Sequence, residues 1–319
     1  MENQIAVSVI CLVYNHGKFL KKCLDNILSQ KTTFNFEVII NDDASTDNSC
    51  EIIKEYERKY KGKIKAFYSK ENLWVKGVDM IRHALVNASG KYVAICDGDD
   101  YWTNENKLQK QFEFMESHLD CSLCAHKILA IDSDTEEGLY YIPKKSVEKK
   151  EIYTARDFLK NGYFIQTTSY FLRNSFAIEY AINPLEFNIL CPAQDTSLIL
   201  YSITKGNIGY IDEVMASYRV AVKNGWSWQL KEDEEKNKVF YERMIAAYEE
   251  FNRYTNGEYK QEIERATNYM AVIGNCREDL LKDGDIKRRK QYLRKERLKT
   301  FVSTKLKFLA KLWHKNQLK

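Results

Sequence analysis

The stretch YVAICDGDDYW, residues 92–102, ends an apolar strand on Asp97, Asp99 and Asp100 and closes on two aromatics. Carboxylates this close repel, and each raises its neighbours' pKa unless a positive charge stands between them. The cluster is therefore either a turn open to water or a holder for a cation. The residues at the ends of the other strands decide between the two.

Working outward toward the N-terminus, the same unit repeats. VSVICLV (7–13) is a continuous apolar run of strand length, as a strand covered on both faces should be. Residues 18–29 place Phe19, Leu20, Cys23, Leu24, Ile27 and Leu28 at helical spacing. FEVII (36–40) is a second strand, and Asp47 or Asn48 can cap a helix running to about Tyr60. IKAFY (64–68) is a third, followed by a helix near 77–87, and YVAIC (92–96) is a fourth, followed by a helix from near Asn104. Such alternation predicts an α/β fold with a mostly parallel sheet and right-handed crossovers.

The polar residues fall on one edge of that sheet. Tyr14 and Asn15 follow the first strand, Asp42 and Asp43 the second, Asn72 lies just beyond the third, and Asp97, Asp99 and Asp100 follow the fourth. Ligands of open α/β sheets bind at the carboxyl ends of the strands. No GxGxxG or GxxxxGK[ST] loop follows any of these strands, so a diphosphate bound here needs a metal to offset its charge. Hard divalent cations take oxygen ligands and leave positions for phosphate oxygens, which favours the cation-holding reading of the acidic cluster.

The part from about 101 to 220 is less regular. Residues 121–132 and 164–172 read as strands, 139–142 as a short one, and 191–211 as helix, turn and strand. Asp195 stands near the start of that helix, where an acid is also favoured by the helix dipole alone. From about 229 the pattern is helical, with a second helix over about 258–281. The sequence thus divides into 1–225 and a helical C-terminal region, 226–319. Cys121 and Cys124 form a CxxC with His126 close by, but no second ligand pair stands at zinc-site spacing, so they read as strand residues.

Charge is unevenly placed. The net charge is +4, yet residues 282–319 hold 14 Lys/Arg against 3 Asp/Glu. Segment 297–315 interleaves basic residues with Phe301, Leu306, Phe308, Leu309, Leu312 and Trp313. It reads equally as an amphipathic helix on an anionic membrane surface and as a terminal helix with a solvated basic face. No nucleic-acid reader motif accompanies it. The N-terminus has no basic start or small-residue cleavage site, and no apolar run is long enough to span a bilayer. The expected location is cytoplasmic, with possible peripheral contact at the inner face of a membrane.

VSVICLVYN, EVIINDDASTDNS, GKYVAICDGDDYW and LQKQ, in this order and each motif after a strand, resemble the family 2 glycosyltransferases of GT-A fold. The resemblance is close over about 5–130 and looser to about 220. It implies an inverting, metal-dependent transferase moving a sugar from a nucleotide sugar, a UDP-sugar by first choice, to a hydroxyl of a glycan or lipid-linked acceptor in surface-polysaccharide synthesis. By resemblance, Asp43 contacts the base with Asp42 supporting the loop, and Tyr14 and Asn15 line the nucleotide pocket. Asp97 meets the ribose or the metal shell, and Asp99 and Asp100 carry Mn2+ or Mg2+. AQDTSL followed by ASYRV matches the family's acid-bearing helix start and YRxH strand end, which makes Asp195 the catalytic base. Two positions depart from the pattern: Gln194 where an acid is frequent, and Ala221 where His is frequent. Gly225, Trp226 and Trp228 read as a flap over the donor or as a packed loop.

Other classes fit less well. A haloacid-dehalogenase-type phosphatase wants its nucleophilic Asp where Tyr14 and Asn15 stand. A nucleotidyltransferase wants a glycine-rich loop there. A non-catalytic nucleotide-binding module has no need of Asp99, Asp100 and Asp195 together.

Overall fold

The structure is a computed structural model that describes residues 4–220, 230, 233–274 and 276. Its first half follows the expected alternation: β1 (Ile5–Val13), α1 (Leu20–Leu28), β2 (Asn35–Asp42), α2 (Ser49–Lys59), β3 (Ile64–Tyr68), α3 (Met80–Leu85) and β4 (Tyr92–Ile95). Side chains alternate across a strand. In β1, Val7, Val9, Cys11 and Val13 therefore pack with Leu20, Leu24 and Ile27 of α1 and Ile52 and Ile53 of α2. Ile10 points the other way, into the core shared with Ile81, Ala84 and Leu85 of α3. Burial on both faces is why the run is apolar but for Ser8, whose buried hydroxyl donates to Glu37 Oε1 (2.7 Å).

The second half adds β5 (Tyr101–Trp102), α4 (Lys107–Ser117), β6 (Cys121–Asp132), β7 (Gly138–Ile142), β8 (Ile152–Tyr153), α5 (Ala155–Asn161), a 3-10 turn (Thr167–Ser169) and β9 (Phe171–Arg173). Then come α6 (Asn174–Ile182), α7 (Glu186–Leu190), α8 (Gln194–Ile203) and β10 (Asn207–Val220). Two helices complete the described chain, α9 (Glu234–Tyr254) and α10 (Lys260–Ile273).

One sheet runs β3-β2-β1-β4-β9-β6-β10-β5, with β7 beside β6 and β8 beside β10. The β1–β2, β2–β3 and β1–β4 pairs are parallel, as is β6–β10. β9 is antiparallel to both β4 and β6. The chain moves outward from β1 to β3 and returns to the other side of β1 as β4, so the strand order reverses between β1 and β4. That reversal is the usual place for a ligand crevice. Hydrogen bonds from Cys96 N–H to Ile10 O (3.0 Å) and Gly98 N–H to Leu12 O (2.9 Å) carry the β4 chain along β1 into the acidic loop.

Two expectations change. Strand 164–172 is a strand only at its end, because residues 167–169 curl into a 3-10 turn before β9. Trp102 Nε1 donates to Thr168 O (3.0 Å) and Gln111 Nε2 to Ser169 O (2.9 Å), holding that turn from a distance in sequence. The helix near 77–87 is shorter, Met80–Leu85, with Asp79 capping it by accepting from Arg82 N–H. Helix α2 begins at Ser49, and of the two candidate caps it is Asp47 that accepts there, from Ser49 N–H (2.9 Å). Cys121, Cys124 and His126 lie in β6 as read, all three buried.

Helix α9 adds Met244, Ala247, Tyr248 and Phe251 to the core that holds Leu198 and Ile199 of α8. The Phe187 and Phe251 rings meet edge to face at 5.2 Å. The division expected at 225/226, the Gly225–Trp228 segment, Ala221 and the basic stretch 297–315 all lie outside the described residues. Among the described residues, no helix is long and apolar enough to cross a membrane.

Candidate active site

The site is built on the carboxyl edge where β1 and β4 diverge. Asn15 leaves β1 at φ 57°, a left-handed conformation that asparagine tolerates better than most residues. Its Oδ1 accepts from Thr46 N–H (2.7 Å) and Asp47 N–H (3.3 Å), while its own N–H donates to Ser45 Oγ (2.9 Å). Asn15 therefore ties the end of β1 to the turn after β2, and neighbouring Tyr14 is left exposed. Asp42 is buried and accepts from Ser45 N–H (3.1 Å) within the same turn.

Asp43 is buried as well. Its Oδ1 accepts from Leu73 N–H (2.7 Å) and its Oδ2 from Trp74 N–H (3.0 Å), so this carboxylate fastens the loop after β3. Asn72 sits at the start of that loop and accepts from Val75 N–H (2.8 Å) within it.

The acidic loop has an inner and an outer part. Asp100 is 3% exposed, and its Oδ1 accepts from the main-chain N–H of Arg219 at 2.9 Å, near the end of β10. Burial, then the charges of Asp99 and Asp97, holds its carboxyl well above the usual range. Asp97 and Asp99 are only partly buried. Burial among protein groups, followed by the charges of Asp99 and Asp195, pushes Asp97 up to about 8. His16 Nε2 stands 3.8 Å from Asp99 Oδ2, and His16 Nδ1 is buried with no hydrogen-bond partner. A Cβ on Gly98 would lie 2.8 Å from that Nδ1, 3.1 Å from Val13 Cγ2 and 3.3 Å from Leu12 O, so the loop approaches β1 too closely for any other residue to fit unshifted.

Asp195 enters from the first turn of α8. Its Oδ1 accepts from Thr196 N–H (2.6 Å) and its Oδ2 from Tyr163 Oη–H (2.5 Å). Its charge acts on Asp97, so the start of α8 lies near the acidic loop. Gln194 beside it spans two main-chain groups of the loop before α3: Oε1 accepts from Met80 N–H (3.0 Å) and Nε2 donates to Val78 O (3.1 Å). A carboxylate could make only the first of these bonds, which explains the departure from an acid here.

The structure thus brings Asp97, Asp99 and Asp195 together, sets Asp100 behind them, and places Asn15, Asp42 and Asp43 as fasteners of the adjoining turns. Sequence reading missed His16, whose signal was its place directly after Tyr14–Asn15. It also missed Tyr163, for which the local pattern carried none. Among the described residues, no group of three or more His, Cys, Asp or Glu side chains is arranged to hold a metal. The donors present are hard carboxylate oxygens with mutual repulsion to relieve. They fit a Mn2+ or Mg2+ that takes one or two protein oxygens and completes its shell elsewhere.

The family model described as Glycosyl transferase family 2 matches residues 8–178, and the chain belongs to that family. It is 30% identical over 220 residues to an uncharacterized protein of Mycobacterium tuberculosis (strain ATCC 25618 / H37Rv), a match covering 69% of this chain and 60% of that protein's length. It is 31% identical over 217 residues to the putative teichuronic acid biosynthesis glycosyltransferase TuaG of Bacillus subtilis (strain 168), covering 67% of this chain and 79% of the relative. The crystal structure of S. aureus TarS 1-349 in complex with UDP-GlcNAc superposes with a TM-score of 0.62 at 21% identity, covering 84% of this chain and 73% of that one. The architecture is accordingly the GT-A fold: an α/β sheet, mostly parallel in its first half, with helices on both faces and two helices appended.

Proposed function

We propose that this chain transfers a sugar from a nucleoside-diphosphate sugar, a UDP-sugar by first choice, to a hydroxyl of a glycan or lipid-linked acceptor, with inversion at the anomeric carbon. The observation that carries the reading is the acidic loop after β4, held along β1 at the reversal of strand order, with the start of α8 near enough for the Asp195 charge to act on Asp97. Asp195 takes the proton of the acceptor hydroxyl as general base. The acceptor oxygen forms its bond to the anomeric carbon as the bond to the diphosphate oxygen breaks. One such displacement inverts configuration and needs no second nucleophile.

Asp99, with Asp97 beside it, would hold Mn2+ or Mg2+, which when bound neutralises charge on the departing nucleoside diphosphate. Asp100 was expected to ligate alongside Asp99. With one oxygen on the Arg219 N–H, it serves in this reading to set the loop. Tyr14 and the strap that begins at Asn72 flank the nucleotide, and Asp43 meets the base with the lone pairs its backbone bonds leave open. The nucleotide sugar in the TarS complex and the polysaccharide named for TuaG support the donor and acceptor classes. The basic segment 297–315 would bring the chain to an anionic membrane surface; flotation with anionic liposomes, compared with a chain ending near residue 295, tests that part.

Calorimetric titration of UDP with Mn2+ and with EDTA, alongside Asp99→Ala, tests the core of the proposal. Metal-dependent binding lost in the variant is expected. Silence toward UDP, GDP, CDP and TDP alike would overturn the nucleotide-sugar reading.

A further inference from the structure

We infer that Tyr163 is a positioning residue for Asp195, with Tyr170 behind it as the second member of a hydroxyl chain; this rests on the reading of Asp195 as the base. The argument is one of proton counting. An ionised carboxylate accepts and does not donate. The 2.5 Å bond between Tyr163 Oη and Asp195 Oδ2 therefore uses the single Tyr163 proton. The 2.9 Å contact between Tyr163 Oη and Tyr170 Oη then has one polarity, with Tyr170 donating.

Both phenols keep their protons. Burial first, then the Asp195 charge, holds each well above the ordinary phenol range. Tyr170 is fully enclosed, and its carbonyl accepts from Ile95 N–H at 3.3 Å. The segment between the two tyrosines is fixed by Trp102 and Gln111, through Thr168 O and Ser169 O. Tyr163 follows Gly162, whose φ of 72° turns the chain out of α5. The Asp195 carboxylate is gripped from two sides, Thr196 on Oδ1 and Tyr163 on Oδ2, so its plane is set before substrate arrives.

The test measures release of nucleoside diphosphate, with Mn2+, from UDP-glucose, UDP-galactose, UDP-N-acetylglucosamine and GDP-mannose. The donor that the unaltered chain turns over fastest is then used on Tyr163→Phe, Tyr170→Phe and Asp195→Asn. Loss of a charge-assisted hydrogen bond predicts a fall in kcat of about 10- to 100-fold for Tyr163→Phe, with KM for the donor and Mn2+-dependent UDP affinity unchanged. Tyr170→Phe should fall in the same direction by less. An unchanged kcat in Tyr163→Phe, or a loss of UDP affinity matching the loss of kcat, overturns the inference. An inactive Asp195→Asn in the same series leaves the function standing. Where Tyr163→Phe does not fold, an unchanged kcat in Tyr170→Phe overturns it equally. Activity in Asp195→Asn, or no turnover of any donor, overturns the base reading and this inference with it.

Discussion

The main-chain N–H of Arg219 donates to Oδ1 of Asp100 across 2.9 Å, joining the end of β10 to the acidic loop more than a hundred residues earlier. Replacing Asp100 by Ala leaves that buried N–H unmet, a cost of about 1–3 kcal/mol. Asp100→Asn keeps an acceptor and removes a repelled charge. Urea unfolding without metal should show Asp100→Ala destabilised and Asp100→Asn at least as stable as the parent. Asp100→Asn should also keep Mn2+-dependent UDP binding, which Asp99→Asn should lose. The reverse pattern would make Asp100 the principal ligand.

Gly98→Ala should disturb the same loop from the other side. The new methyl would meet His16 Nδ1 at 2.8 Å and Leu12 O at 3.3 Å. Overpacking of this kind costs about 1–3 kcal/mol. The expected outcome is a lower unfolding midpoint together with weaker UDP binding. A variant indistinguishable from the parent in both would show that the loop shifts freely.

Gln194→Glu tests whether the family's more frequent acid would serve here. Glutamate accepts from Met80 N–H but cannot donate to Val78 O, so a hydrogen bond is lost and two acceptors face each other. We expect a loss of about 1–3 kcal/mol in stability, without any gain in turnover. Higher activity would mean that the second acid contributes to the chemistry.

Lys107 makes a prediction about pH. It is fully enclosed, donating to Gln111 Oε1 at 2.7 Å with its ammonium 4.0 Å from the Trp102 ring centre. Burial pushes its pKa down to about 7. Since the unfolded value is about 10.4, the unfolded chain binds more protons between these limits, and stability rises with pH across them. Below about pH 7 the full cost of the buried charge is present. The parent should gain on the order of 1 kcal/mol per pH unit between pH 7 and 9 relative to Lys107→Met. Parallel pH–stability curves would count against a buried, partly neutral lysine.

What could be read in the sequence divides along a physical line. Val7 to Val13 and Val38 to Ile40 advertise doubly covered strands because both faces are apolar, and the carboxyl edge follows from their direction. Asp97, Asp99 and Asp195 were visible as residue types, their meeting only as a resemblance. Thr167–Ser169 looked like strand because its local pattern is that of one. Its curl is dictated by Trp102 and Gln111, which no window around residue 168 contains. Helices α5, α6 and α7 have 7, 9 and 5 residues and were not read at all. Helices so short owe their stability to the core they dock on rather than to local propensity. Asn15 was expected to line the nucleotide pocket; that its amide oxygen also fastens the turn after β2 depends on residues 31 and 32 positions away and was not legible.

The strap from Leu73 to Met80 is anchored at one end by Asp43 and at the other by Gln194, the neighbour of Asp195. The two anchors come from opposite halves of the site. A substitution that disturbs the strap at the Asp43 end therefore also disturbs the support of the helix that carries Asp195. Under the proposed function, donor and acceptor preference would then be coupled through this strap, and a change at the Asp43 end would call for compensating changes near residue 194.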